Sequence, residues 1–226
     1  MHPAHVAGTN PYPWPYDGCF EATRCAFLIC GAQRQLMAVS TDVVRVRQRL
    51  GLVADRLRAC GGAVLWIRHG TRIAGPGPSR LLPVRDTTGW QLVDDTSLDD
   101  VVDATGWDGC FGSGLDHVLR SGGRRTVVLG GFASEVTVDS TVRTLNDQGH
   151  ECLVLTDGCA PLDRTLGARA HSSVTMSGGI FGALGTSAAL LELLSIQPST
   201  QSNTHSSTRS SAASDEAGAV PKETSA

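Results

Sequence analysis

Hydrophobic positions along the chain follow two alternating rhythms. Cys25 to Cys30, Ala63 to Ile67, Thr126 to Leu129 and Glu151 to Thr156 are short, mostly apolar runs, the pattern of parallel strands covered on both faces. Thr41 to Cys60 instead sets Val43, Val46, Leu50, Val53 and Leu57 at alternating spacings of three and four, which is one face of a helix. Ser40 or Thr41 is available as its N-cap, and Gly61-Gly62 can end it. A shorter helix is expected over Ser113 to Ser121, and another starts in the Ser/Glu/Asp-rich segment after the Gly130-Gly131 turn and continues to about Gln148. Asp163 can cap a helix running through Met176, and a last one covers Ser187 to Leu194.

Strands are therefore expected at 25–31, 63–68, 125–130 and 151–156, with a short edge element near 178–182. Strands that alternate with helices predict an α/β fold: a doubly wound, mostly parallel sheet with helices on both faces and a cavity at the strand carboxyl ends. Before it, residues 1–24 carry Pro11, Pro13 and Pro15, which forbid helix and favour an extended arm. The α/β domain spans 25–195, and 196–226 form a tail. Of residues 198–226, 12 are Ser or Thr, too polar a run to offset its ordering entropy, so the tail is expected to be disordered. The long connection 70–96, with Trp90 at its tip and Arg72, Arg80 and Arg85 along it, is placed to cap a site or interface.

Composition narrows the function. The 226 residues carry a formal net charge of −3, which gives no basic footprint for nucleic acid or an anionic membrane. The apolar runs are too short to span a bilayer, and Met1 to Val6 lacks the regions of a signal peptide, so a cytoplasmic protein is expected. Seven cysteines without a C-x-x-C spacing read as free, mostly packing thiols. His69 is a lone histidine with no Asp-x-His pattern, so neither a metal nor a cofactor is expected.

Candidate chemistry sits at the strand, glycine turn and helix start from Thr126 to Thr141, where backbone N–H groups and the positive end of a helix dipole converge. Three blocks, Ala26-Phe-Leu-Ile-Cys-Gly31-Ala-Gln33, Asp108-Gly-Cys-Phe-Gly-Ser-Gly-Leu-Asp116 and Gly131 to Thr141, resemble the isochorismatase-like cysteine hydrolases. The lead-in Asn10 to Gly18 is similar to that of the ureidoacrylate and biuret hydrolase branch. The resemblance implies an amidohydrolase fold whose base, cation and thiol nucleophile would stand at positions 31, 104 and 137. It also implies substrate contacts from Gln33, Trp107, Phe132, Ala133 and Ser134, with a cis bond between Phe132 and Ala133 turning N–H groups toward the substrate oxygen.

Those three positions hold Gly31, Ala104 and Thr137. Glycine cannot take a proton, alanine carries no charge, and an alcohol needs an adjacent base to attack a carbonyl. The chain has 18 arginines but a single lysine, Lys222 in the tail, so no lysine of the domain can replace the missing one. Cys110 is the other thiol expected near the cavity besides Cys30, and Asp108, Glu135, Asp139 and His69 are the nearest titratable groups. The expectation is a member that has lost the Asp-Lys-Cys triad, either binding a small amide or ureide or acting as a structural or regulatory subunit. Family habit implies a homo-oligomer, or a hetero-oligomer with an active paralogue. The alternative is an amidohydrolase acting on C–N bonds through Thr137 or Cys110.

Overall fold

The computed structural model describes residues 4–73, 81–94 and 96–199. Six strands make one sheet in the order β3-β2-β1-β4-β5-β6, every neighbour parallel. They are β1 (Cys25–Cys30), β2 (Ala63–Gly70), β3 (Asp100–Thr105), β4 (Thr126–Phe132), β5 (Glu151–Ala160) and β6 (Ala183–Gly185). The helices are α1 (Arg34–Val39), α2 (Val43–Ala59), α3 (Leu115–Ser121), α4 (Thr137–Asp147), α5 (Arg164–Val174), α6 (Met176–Gly179) and α7 (Ser187–Ser195). The doubly wound α/β architecture is thus the one the periodicity predicts.

Strand β1 shows why. All six of its residues are buried, and their side chains alternate between two apolar layers. Cys25, Phe27 and Ile29 pack with Val46, Leu50, Val53 and Leu57 of α2 and Leu190, Leu193 and Leu194 of α7. Ala26, Leu28 and Cys30 pack with Leu115 and Leu119 of α3, Val138, Val142 and Leu145 of α4 and Val174 of α5. Each such aliphatic side chain contributes about 1.5–3 kcal/mol relative to leaving it in water, so both faces of the sheet are secured.

The arm folds back over the sheet edge. Val6 bridges to Trp14 and Asn10 to Leu184, while the Trp14 ring is fully buried beside Phe20.

Four local expectations are corrected. The edge element is not at 178–182 but at Ala183–Gly185, because Gly178, Gly179 and Gly182 all adopt positive φ and form a turn. A strand not foreseen, β3, pairs with β2 alone; its sequence Asp-Val-Val-Asp-Ala-Thr lacks the continuous apolar run of a central strand. The helix capped by Asp163 stops at Val174, and Ser177 then turns left-handed at φ 54°. Asp42, not Ser40 or Thr41, occupies the N-cap position of α2. Asp163 does cap α5, accepting the N–H groups of Thr165 and Leu166. The expected disorder of the tail falls largely outside the described residues, as does Arg80. Trp90, at the tip of the 70–96 connection, is buried, and the Arg68 guanidinium lies 3.8 Å from its ring centre.

Candidate functional site

Parallel strands deliver their carboxyl ends to one rim of the sheet, and there β1 ends next to Gly31 and β4 runs into the start of α4. Gly31 adopts φ 67°, a conformation glycine takes without strain. A Cβ added to it would stand 2.9 Å from the Phe132 carbonyl oxygen, 3.0 Å from Leu36 Cδ1 and 3.4 Å from Thr137 Cγ2. Gly31 and Thr137 are therefore neighbours, and the space between them is occupied by backbone and a leucine side chain. Ala104 is fully buried in the layer that also contains Cys30 and Val138, paired with His69 of β2.

Thr137 has no exposed surface. Its hydroxyl donates to the Phe132 carbonyl at 2.7 Å and lies 3.3 Å from that of Ala133, so it bonds to backbone across the first turn of α4. The peptide between Phe132 and Ala133 is not among the cis bonds of the described residues, which are Asn10-Pro11 and Trp14-Pro15. Instead Ala133 takes φ 50°. Its N–H donates to Ser40 Oγ at 2.9 Å, and its carbonyl accepts the N–H groups of Val136 and Thr137. The N–H that could have cradled a substrate oxygen already has a partner. The Ser134 N–H reaches the Ala160 carbonyl at 3.4 Å, and the Ser134 hydroxyl is buried without a partner beside Cys159 and His171 in a hollow of about 10 Å³.

Of the other anticipated contacts, Gln33 is also engaged. Gln33 is fully buried; its amide nitrogen donates to the carbonyls of His69 and Trp90, both at 3.0 Å, and its oxygen accepts the His69 N–H at 2.8 Å. It latches β1 to β2 and to the loop carrying Trp90. Trp107 is half-buried on the loop after β3.

The titratable groups nearby are buried or already engaged with neighbours. Burial, followed by the nearby Asp108 carboxylate, pushes the Cys110 thiol up to about 12, and burial pushes Cys159 to about 12 as well. Cys30 is displaced in the same direction, first by burial and then by Cys159. His69 is fully buried and pushed down to about 4, so its ring is neutral; Nδ1 faces the Gly106 carbonyl at 3.2 Å. Glu135 clamps the N–H groups of Leu162 and Asp163 ahead of α5. Asp139 is held by Arg143 and Ser173, and Asp108 by Thr144 and the Cys110 N–H. All seven cysteines are free thiols. Among the described residues no cluster of three potential metal ligands occurs.

Ser40 is the participant that sequence reasoning missed. A serine just before α2 reads as a helix cap, and only the fold brings its hydroxyl to the Ala133 amide 93 residues away.

Comparison with known proteins places the fold in a family. The Isochorismatase domain family matches residues 25–188. An uncharacterized isochorismatase family protein, YecD of Escherichia coli O157:H7, is 27% identical over 128 residues, 51% of this chain and 66% of that one. This chain thus matches just under two thirds of the length of that curated relative. A cysteine hydrolase from Pseudomonas syringae pv. phaseolicola 1448A shares the fold at TM-score 0.69 and 18% identity, over 86% of this chain and 99% of its own. An isochorismatase family protein from Burkholderia thailandensis does so at TM-score 0.65 and 20% identity, over 76% and 96%. With the family domain covering most of the described residues, the chain belongs to the isochorismatase family.

Proposed function

We propose that this chain is a catalytically silent member of its family, acting as a structural or regulatory subunit rather than as a hydrolase. One observation carries the reading. The hydroxyl that stands at the nucleophile position donates to the Phe132 carbonyl at 2.7 Å, and the neighbouring position where a base would be needed is a glycine hemmed in by Phe132, Leu36 and Thr137. A nucleophile must give its proton to an acceptor stronger than an amide carbonyl, and none touches it. Of the two roles a silent member could take, the filled surroundings of Gly31 favour a scaffold over a binder of small amides or ureides.

The finer parts of the reading stand on the sequence. The lead-in Asn10 to Gly18 supports descent beside the ureidoacrylate and biuret hydrolase branch, and seven free thiols support a cytoplasmic setting. Assembly with itself or with an active paralogue follows as the role left to such a domain. The test is ammonia release from a panel of amides and ureides by the purified full chain. No turnover above the blank is expected; turnover that disappears in Thr137→Ala or Cys110→Ser would sink the proposal and favour the amidohydrolase alternative.

A further inference from the structure

The opposite rim of the sheet, where β1, β4 and β5 begin, holds a hollow of about 490 Å³, a size suited to a metabolite. The sheet pairing assembles it. The Arg125 N–H donates to the Arg24 carbonyl at 2.9 Å and the Glu151 N–H to the Arg125 carbonyl at 3.2 Å, which lays the three strand entrances side by side. Arg24, Arg120, Arg124 and Arg125 consequently line one space, although they come from separate stretches of the chain. Gly123 and Gly149, both at positive φ with nothing within 4 Å of an added Cβ, leave its mouth open.

These arginines are incompletely matched. Arg125 reaches Asp17 only at 3.6 Å, and Arg124 is directed at the main-chain carbonyls of Thr23 and Gly61. Among the described residues the Arg24 guanidinium makes no ion pair or hydrogen bond. Arg120 is paired, with Asp116 at 2.7 Å. At the floor, His150 is 6% exposed yet its Nε2 has no partner, and the buried Oε1 of Gln148 has none either. These two atoms are closed off beneath the surface, so a molecule in the hollow would meet the guanidiniums of the rim. The carboxylates of Glu21 and Glu151 share the lining. Glu151 already accepts the Tyr16 N–H, whereas the exposed Glu21 has no protein partner among the described residues and is open to a donor on a ligand.

The geometry points to a second, non-catalytic binding site for a small anionic metabolite, one oxyanion group held by Arg24 and Arg125 and a hydroxyl or amino donor turned toward Glu21. Phosphate and carboxylate share this chemistry, since a guanidinium fork meets either in bidentate fashion. The site lies at the far edge of the sheet from Gly31 and Thr137, so it stands or falls independently of whether the inherited centre is silent.

The experiment is titration calorimetry of the full chain with ribose 5-phosphate, inorganic phosphate and succinate, against sodium chloride at matched ionic strength. Ribose 5-phosphate or succinate is expected to bind one per chain, and the better of the two identifies the oxyanion. Arg24→Gln and Arg125→Gln, both at exposed positions, are expected to weaken binding about tenfold while leaving the melting temperature of the free protein unchanged. The His150 ring signals should shift on titration in the parent chain and less in Arg24→Gln. Binding unaffected by either substitution, a response equalled by chloride, or no binding of any probe at millimolar concentration would each overturn the assignment.

Discussion

Ser40 Oγ accepts the Ala133 N–H at 2.9 Å and donates to the Leu36 carbonyl at 2.8 Å, joining the end of α1 to the glycine turn before α4. This contact uses the amide that would otherwise be the natural oxyanion donor. Ser40→Ala is expected to leave a fully buried N–H unpaired and lower stability by about 1–3 kcal/mol in urea titration, without any gain of hydrolysis. A gain of amide turnover in that variant would show that the serine masks a working cradle.

Installing an Asp-Lys-Cys set at positions 31, 104 and 137 is expected to fail. Gly31→Asp must adopt φ 67° with its Cβ 2.9 Å from the Phe132 oxygen, so it alone should cost at least about 2 kcal/mol. The combination Gly31→Asp, Ala104→Lys, Thr137→Cys should then show no rapid alkylation of the new thiol at neutral pH, measured by iodoacetamide labelling of the folded protein. Fast, selective labelling of residue 137 would mean the hollow reopens.

Gln33 makes three hydrogen bonds from a position with no solvent access. Gln33→Leu keeps the volume and removes all three, stranding the His69 N–H and two carbonyls. A loss of more than about 2 kcal/mol is expected, together with faster hydrogen exchange at the His69 amide. If Gln33 instead serves a ligand, the free protein should tolerate the change with little loss.

His69 sets a pH dependence of definite sign. Its folded pKa is lowered to about 4 from 6.5, chiefly by burial, so the unfolded chain takes up its proton first as pH falls. Stability from this group is full above about 6.5 and declines down to about 4, at up to about 1.4 kcal/mol per pH unit. His150 and His171 are lowered too, mainly by burial, and act in the same direction. Comparing His69→Gln with the parent isolates the one residue: its stability curve between pH 6.5 and 4 should be flatter by nearly one proton. Parallel curves would contradict the burial of a neutral ring.

Much of this was legible in the amino acids themselves. Cys25 to Cys30 is apolar at every position because β1 is flanked by β2 and β4 and covered on both faces, and Val43 to Leu57 repeats at helical spacing because one side of α2 lies on that sheet. Thr137 could be read as a hydroxyl that bonds to backbone, since that is what such a group does at a helix start when no base is next to it. Edge strand β3 escaped notice because a strand paired on one side needs no continuous apolar run, and its exposed Asp100 and Val101 break the pattern.

Composition and local periodicity therefore determined the layers of this protein and the glycine, alanine and threonine that stand at positions 31, 104 and 137, because both depend on residue identity and near neighbours along the chain. Only the tertiary structure decided that Leu36 and the Phe132 carbonyl crowd Gly31, that Ser40 holds the Ala133 amide, and that Arg24, Arg125 and His150 face one hollow. Each of those contacts joins segments distant in sequence, and their meeting is set by how parallel strands align their beginnings on one rim and their ends on the other.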